Sequence, residues 1–338
     1  MRVQVNGRYL IQRVTGVQRY AREIVARLGG KVEVICPGPA AKGLRGHVWE
    51  QMVLPWRLRR GLLWSPCTTG PLSISSQIVT IHDCAFFDQA HCFSRAFAAW
   101  YQFLVPRLAR AARQILTDSE FSKQRIVELC RVPAAKVKVV YSGVGSGFRP
   151  HTADEIAAVR ESLGLPERYA LCVGSLEPRK NLPRLLAAWQ RIQPRFDGVS
   201  LVLAGAKSHV FREAGLSQPP AVHLAGYLSD DMLSAVYAGA EAFVFPSLYE
   251  GFGLPVLEAM ACGTPVVCSA TTSLCEVAGD AALLVDPLHV ESIADGLTQV
   301  LKDGDLREKL RVRGVARAQK FSWDETAGHT WDALQSVL

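Results

Sequence analysis

The 338-residue sequence lacks the patterns that identify several large classes of protein. Its nine cysteines include no C-x-x-C pair, and several stand in apolar, strand-like runs, so we expect buried thiols and neither a zinc framework nor disulfides. No apolar run reaches the roughly 18 residues of a membrane span. The amino terminus shows no basic-then-apolar signal segment, so a cytoplasmic location is expected.

Motifs for binding nucleic acids and NAD are also missing. The sequence contains no RNP motif, zinc finger or dense basic run, so a nucleic acid is not an expected partner. It contains no G-x-G-x-x-G followed, after the next strand, by an acidic residue. A Rossmann-type oxidoreductase is therefore the least favoured enzyme class.

Charge is present but unevenly distributed. Residues 1–163 hold 23 Lys and Arg against 11 Asp and Glu, a balance of +12 within a net charge of +7. This asymmetry predicts that the first half meets an anionic partner. The basic stretch from Trp56 to Trp64, flanked by tryptophans, fits an anionic membrane surface. A solvated and partly core-packed segment is an equal alternative.

One stretch, from Phe245 to Val267, organises the rest of the chain. The apolar run that ends at Phe245 in Pro-Ser is typical of a buried strand. Glu250-Gly251-Phe252-Gly253 predicts a tight turn, since glycine permits positive φ and close approach of a ligand. From Leu254 the pattern is helical, with Pro255 in the first turn. The sequence therefore predicts a strand, a turn, a helix and, from Thr264, another strand.

Two carboxylates, Glu250 and Glu258, stand eight residues apart in this unit. The free N–H groups and dipole of a helix N-terminus favour an anion, above all phosphate. Carboxylates beside such a site need hydrogen-bond donors that are neutral. A sugar and a ribose supply such hydroxyls. The alternative is a pair of surface glutamates beside an amphipathic helix.

The stretch P-S-x-x-E-G-F-G-L-P-x-x-E-A-M-A-x-G-x-P-V-V resembles the donor-sugar signature of the family-4 retaining glycosyltransferases. The resemblance implies an α/β fold of the GT-B type, with two Rossmann-like doubly wound domains facing across a cleft. We accordingly expect an acceptor-side domain over residues 1–150 and a nucleotide-sugar-binding domain over 151–320. A final helix in 321–338 is expected to cross back to the first domain.

A second signature of the family, G-x-x-x-x-R-K-N, begins at Gly174. It places Arg179 and Lys180 at a strand-to-helix turn. Two adjacent cations there would neutralise a diphosphate, and stabilising that leaving group is the main catalytic requirement. A solvated Arg-Lys pair is the alternative.

The resemblance also implies roles for residues elsewhere in the chain. In the second domain, Glu250 with Gly251 to Leu254 would orient the sugar and Glu258 would bind the ribose. The turn Gly226-Tyr227-Leu228 would frame the nucleotide base. The range Gly251 to Leu254 includes Phe252 and Gly253, and Gly174 is the other donor-binding residue that the resemblance implies in this domain.

In the first domain, the strand Ile78 to Ile81 delivers His82 and Asp83 to its carboxyl end, where ligands of parallel sheets bind. The resemblance implies that His82 contacts the sugar and stabilises an oxocarbenium-like centre. Gly16 would approach the diphosphate. Asp83, Ser119 and Glu120 would face the acceptor, with capping of the next helix as the alternative for Ser119.

The implied reaction is transfer of a hexose, best matched by mannose from GDP-mannose, to a hydroxyl of a saccharide or lipid-linked saccharide in envelope polysaccharide synthesis. Retention is expected through a front-face, ion-pair-like substitution. We expect no cofactor and no metal, because the two cations and the helix N-terminus replace one and no D-x-D ends a strand. Peripheral attachment to the inner face of the cytoplasmic membrane would suit the acceptor. A same-fold sugar-nucleotide epimerase and a non-catalytic nucleotide-sugar-binding protein are the alternatives.

Overall fold

The computed structural model describes residues 2–12, 14–39, 41, 43–59, 61–175, 177–205 and 221–338. The chain divides into two compact units. Unit 1 extends to Gly143 and resumes from Phe321 to Leu338, and unit 2 is Val144–Lys320. The boundaries predicted from the sequence lie at residues 150 and 320.

Unit 1 contains a six-stranded parallel sheet in the order β2-β1-β3-β4-β5-β6. Its strands are β1 Arg2–Asn6, β2 Val32–Ile35, β3 Gly61–Ser65, β4 Gln77–Thr80, β5 Gln114–Thr117 and β6 Val137–Val139. Its first helices are α1 Gly16–Leu28, α2 Leu44–Val48, α3 Leu54–Arg57, α4 Ala85–Asp88, α5 Arg95–Ala111 and α6 Glu120–Cys130. All strands are parallel, so their carboxyl ends share one edge, which is where a ligand is expected.

Strand β3 was not predicted, and it divides the tryptophan-flanked stretch in two. Leu62, Leu63 and Trp64 are fully buried, because β3 lies between β1 and β4. The Trp64 indole donates to the Thr80 hydroxyl at 3.1 Å. Trp56, in contrast, is 90% exposed. The core-packed alternative therefore holds for the second half of the stretch, and the first half belongs to the surface.

Unit 2 contains a second six-stranded parallel sheet, in the order β12-β11-β10-β7-β8-β9. Its strands are β7 Arg168–Val173, β8 Val199–Ala204, β9 Val222–Gly226, β10 Ala242–Phe245, β11 Val266–Ser269 and β12 Ala282–Val285. Its helices are α7 Ala153–Ser162, α8 Leu182–Ile192, α9 Asp230–Ala238, α10 Leu254–Ala261, α11 Ser273–Ala278, α12 Val290–Lys302 and α13 Gly304–Ala318. Leu185, Trp189 and Ile192 of α8 pack into the main core with Leu297 of α12.

The last helix, α14 Trp323–Gln335, belongs to unit 1 and packs against α1. Trp323 is buried, with its ring edge-on to Tyr20 at 6.2 Å between centroids. Arg27 donates to the Asp324 carboxylate at 2.6 Å. Within the described residues, none of the helices is sufficiently long and apolar to cross a bilayer.

Candidate functional site

The turn after β10 is held by hydrogen bonds from side chains. The Ser247 hydroxyl donates to Glu250 Oε1 at 2.5 Å, and the Ser273 hydroxyl, from α11, donates to the carbonyls of Glu250 and Phe252, both at 2.9 Å. Gly253 has φ of +114°, and a Cβ there would lie 2.5 Å from Leu274 Cδ2. Glycine is required at this position, and it lets the backbone turn directly into α10.

A 3₁₀ turn, Pro178–Lys180, brings both predicted cations to this loop. Lys180 Nζ lies 2.6 Å from Glu250 Oε1, and Arg179 Nη1 lies 3.1 Å from Oε2. Lys180 Nζ also sits 4.8 Å from the centroid of the Phe245 ring. Three of the four predicted catalytic residues therefore form one ion cluster in unit 2.

Asn181 joins the two loops. It adopts a left-handed conformation at φ +60°, which turns the chain into α8. Its amide donates to the carbonyls of Pro246 and Pro287 at 3.0 and 2.6 Å, and Leu248 N donates to the Arg179 carbonyl at 2.7 Å. No role was predicted for this residue from the sequence, although it completes the R-K-N motif.

The cluster is electrically balanced. Burial by itself would raise the pKa of Glu250, but the charges of Lys180 and Arg179 lower it below its ordinary value. Arg179 Nε also donates to Glu177 at 2.5 Å, and this cation outweighs burial to lower the pKa of Glu177. Two cations thus meet two carboxylates. A diphosphate that binds here would have to replace Glu250 and Glu177 as the acceptor of hydrogen bonds from the two cations. Glu177 was not predicted from the sequence.

Three glycines mark the carboxyl ends of neighbouring strands. A Cβ on Gly174 would lie 3.6 Å from Lys180 Cδ, and one on Gly205, at φ +83°, would lie 2.9 Å from the Gly174 carbonyl oxygen. Gly226 ends β9 at φ +68° and its carbonyl accepts from Gly205 N at 2.6 Å. After it, Tyr227 is 76% exposed and Leu228 is buried.

Glu258 lies in α10, one turn after Leu254, and is buried. The Tyr237 hydroxyl donates to Glu258 Oε2 at 3.2 Å. Burial, together with the Glu258 charge, raises the pKa of Tyr237 well above its ordinary value, so this hydroxyl stays a donor. The Tyr237 hydroxyl therefore orients the Glu258 carboxylate.

In unit 1, His82 is buried beyond the end of β4. Its Nδ1 lies 2.6 Å from Asp118 Oδ2 and its Nε2 lies 2.9 Å from the Pro66 carbonyl oxygen. A carboxylate and a carbonyl both accept, so both ring nitrogens carry hydrogens and the ring is an imidazolium. Burial opposes this charge, but Asp118 outweighs it and raises the pKa of His82 well above 6.5.

This charge bears on the role predicted for His82. A buried imidazolium repels a developing positive charge, so it does not suit the stabilisation of an oxocarbenium-like centre. Its two hydrogens are already donated to Asp118 and to the Pro66 carbonyl, so the ring acts on its surroundings through its charge. Asp118, which follows β5, is the partner that fixes this state.

The three predicted acceptor-side residues make local contacts. Asp83 accepts from Ala85 N at 3.0 Å. Ser119 is the N-cap of α6 and accepts from Ser122 N at 3.0 Å, while Glu120 lies 3.7 Å from Lys123 Nζ. These bonds fit the capping interpretation of this stretch. Gly16, at the first position of α1, is exposed.

A second buried cluster follows β1, and the sequence analysis did not identify it. Glu50, fully buried, accepts from Asn6 at 2.6 Å, from Thr69 at 3.0 Å and from Arg8 at 3.0 Å. Arg8 also donates to His47 Nδ1 at 2.8 Å. Burial and the Arg8 charge lower the pKa of His47 to about 4, so the ring is neutral and accepts. The only sequence signal was an Asn and an Arg directly after a strand.

Comparison with known proteins assigns the chain to a family. Residues 155–317 match the family described as glycosyl transferases group 1. O-antigen chain mannosyltransferase B of Escherichia coli is 35% identical over 273 residues, covering 78% of this chain and 71% of that protein. Serotype-specific mannosyltransferase WbdA of Escherichia coli is 31% identical over 255 residues, 70% of this chain, but the match spans only 31% of WbdA.

Solved structures agree on the architecture. HepE of Anabaena, in complex with UDP and glucose, superposes with a TM-score of 0.78 at 17% identity over 99% of both chains. A likeness at this identity shows the fold alone. The predicted α/β architecture of the GT-B type is thereby confirmed.

Proposed function

This chain belongs to the glycosyl transferases group 1 family, and from that premise we propose that it transfers mannose from GDP-mannose to a saccharide hydroxyl. The choice of mannose is supported by O-antigen chain mannosyltransferase B, which matches over most of both lengths. WbdA, matched over under a third of its length, adds weaker support. We propose a growing, lipid-linked saccharide of the envelope as the acceptor.

The cluster of Arg179, Lys180 and Glu250 carries this proposal. Both cations are within hydrogen-bond reach of one buried carboxylate, so their positions are fixed before a substrate arrives. In the complex the diphosphate takes their hydrogen bonds, and Glu250 turns to the sugar hydroxyls with Gly251 to Leu254. Preorganised cations stabilise the charge that develops on the departing diphosphate. Because two cations already do this, we propose a metal-independent reaction.

Other residues complete donor recognition. Glu258 accepts from the ribose hydroxyls, and the turn Gly226 to Leu228 frames the base. The bond between the anomeric carbon and the diphosphate oxygen breaks, and the acceptor hydroxyl forms the new bond to that carbon from the same face. The departing phosphate accepts the hydroxyl's proton, so the anomeric configuration is retained. We assign His82 to the donor through the positive charge of its imidazolium, since both ring N–H groups already donate to Asp118 and to the Pro66 carbonyl.

A panel of nucleotide sugars measured by thermal shift tests the donor. GDP-mannose should raise the melting temperature most, and transfer to a lipid-linked acceptor should persist in EDTA. Lys180→Ala should lower transfer by orders of magnitude while the protein remains folded, whereas Arg191→Ala, which removes an exposed ion pair with Glu291, should not. Near-normal transfer by Lys180→Ala would refute the assigned role.

The same assay separates the alternatives. An epimerase would change the sugar of the donor without an acceptor. A non-catalytic binding protein would show the thermal shift but no product with any acceptor. Formation of a new α-linked saccharide only when the acceptor is present supports the transferase, and inversion at the anomeric carbon would overturn retention.

A further inference from the structure

Large apolar side chains form a continuous exposed stripe in unit 1, on the helical segment 44–57. Leu44, Val48, Met52 and Trp56 recur at every fourth residue, and their exposed fractions are 78, 53, 64 and 90%. On the opposite face, Trp49, Glu50 and Leu54 are buried. The segment is therefore anchored on one side and presents unusually large apolar groups on the other.

The backbone keeps this stripe straight. In an α-helix, four residues advance about 40° beyond a full turn, so a stripe at this spacing would wind around the axis. Between α2 and α3, residues Trp49–Val53 form a π-helical turn, which has more residues per turn. This turn offsets the drift midway along the stripe. Trp56 thus stays aligned with Leu44.

A second helix extends the surface. The Trp100 indole of α5 donates to His47 Nδ1 at 3.2 Å, and the two rings lie 5.6 Å apart, edge to face. Phe97 and Phe103 of α5 are also exposed, and Phe103 stacks on Trp100 at 6.0 Å. The Arg107 guanidinium lies 3.8 Å from the Phe103 ring centroid.

The charges on this surface have one sign. Residues 34–82 contain a single acidic residue, Glu50, which is buried, and residues 89–117 contain none. Among the described residues, the exposed cations of the two segments are Arg45, Arg57, Arg59, Arg95, Arg107, Arg110 and Arg113. Exposed tryptophan, phenylalanine and aliphatic groups bordered by arginine match the interface of an anionic bilayer, where the rings lie at headgroup depth.

We propose that this face of unit 1, the stripe Leu44, Val48, Met52 and Trp56 with Phe97 and Phe103 of α5, docks on an anionic lipid bilayer. The inference deepens the proposed function, since a lipid-linked acceptor resides there. A nucleic acid would not match aliphatic side chains at the centre of the patch. A second copy of the chain would bring arginines of one sign against each other, which is unfavourable. The bilayer satisfies both the apolar stripe and the cations.

Flotation with vesicles tests the docking without any donor or acceptor. The full chain should bind vesicles of phosphatidylcholine with 30% phosphatidylglycerol, and bind pure phosphatidylcholine far less. Each arginine near the surface contributes roughly 5-fold, so binding should weaken steeply with salt. Met52→Glu with Trp56→Glu should weaken binding at least about tenfold. Val312→Glu, at an exposed apolar position on α13 of unit 2, should bind like wild type.

Several results would overturn the docking surface. One is wild-type flotation of the double variant, provided that circular dichroism and the GDP-mannose thermal shift show both proteins folded. Another is a concentration-dependent dimer that Trp56→Glu dissolves, with no vesicle binding by wild type. Since flotation needs no sugar, a protein that floats but ignores GDP-mannose keeps the surface and loses the proposed donor. A protein that transfers mannose normally but does not float keeps the proposed donor and loses the docking surface.

Discussion

Glu250 is the buried carboxylate shared by Lys180 and Arg179. Three ionised groups in a mostly buried cluster are costly to desolvate, and only their mutual contacts offset that cost. The depressed pKa of Glu250 means that its contribution to stability is present above about 4.5 and is lost as the pH falls further. Before a substrate arrives the residue therefore contributes to stability, and the proposed function gives it a second role at the sugar hydroxyls.

Glu250→Ala should destabilise the protein and also abolish transfer. The substitution leaves the buried Lys180 without its carboxylate, although Arg179 keeps Glu177, and breaking a buried ion pair costs about 3–5 kcal/mol. Urea denaturation at pH 7 measures this loss. GDP should recover more stability in the variant than in wild type, because its diphosphate supplies the missing anion. Equal stabilisation of both proteins by GDP would contradict a diphosphate site at these cations.

His82 should remain doubly protonated above neutral pH. Its raised pKa means that the stabilising contribution is fully present below about 6.5 and is lost as the pH rises through the higher folded value. Nitrogen-15 spectra of labelled histidine at pH 7.5 should show both ring nitrogens of His82 protonated, assigned by their loss in His82→Phe. Asp118→Asn should return the ring to neutral. A neutral ring in wild type would contradict the imidazolium.

At the scale of elements, the turn between β10 and α10 depends on one backbone geometry. Gly253→Ala should cost about 1–3 kcal/mol, because the side chain strains a positive φ and strikes Leu274. The shifted turn should also weaken donor binding. Gly164→Ala provides the control, since φ there is +60° but a Cβ meets nothing within 4 Å. Unchanged donor binding in Gly253→Ala would show that the turn does not contact the sugar.

The sequence predicted this unit because its signals are local. The strand that ends at Phe245 and the helix that begins at Leu254 are confirmed. The next strand begins at Val266, not Thr264, because Thr264 N donates to the Ala259 carbonyl and completes the end of α10. The alternation of apolar residues and the turn residues specify that such elements exist. Their exact ends also depend on tertiary hydrogen bonds, which compete with the local pattern.

Partners distant in sequence could not be predicted from the same signals. Lys180 and Glu250 are separated by 70 residues, and no local pattern states that their side chains meet. The contact between Arg8 and Glu50 could not be predicted either, since a glutamate within a helix is typical of a solvated face. Trp64 looked like an interfacial residue because its burial depends on two neighbouring strands.

At the scale of the whole molecule, α14 completes unit 1. Trp323→Ala should destabilise unit 1 by about 3–5 kcal/mol, as expected for a fully buried aromatic residue. Trp331→Ala, on the same helix but only half-buried, should cost less. Urea denaturation compares the two. Both variants should keep the GDP-mannose thermal shift where unit 2 remains folded, and equal losses would contradict the packing role of Trp323.

The overall architecture followed from two motifs in chain order and from alternating strand and helix patterns. Both sheets were predicted as Rossmann-like, although β3 was missed because its flanking arginines hid a buried run. The association of Phe321–Leu338 with the first 143 residues cannot be deduced from periodicity, which says nothing about which core a helix joins.

The interrupted course of unit 1 has a consequence for biosynthesis. Gly143 leaves no room for a Cβ against Trp323, whose backbone nitrogen would lie 2.2 Å away, so the two segments fit closely although 180 residues separate them. A ribosome therefore exposes unit 1 without its closing helix α14 while the whole of Val144–Lys320 is being translated. Unit 2 is contiguous in sequence and can complete its packing on the nascent chain before α14 is made. During that interval, the face of α1 that α14 later covers is exposed to chaperones.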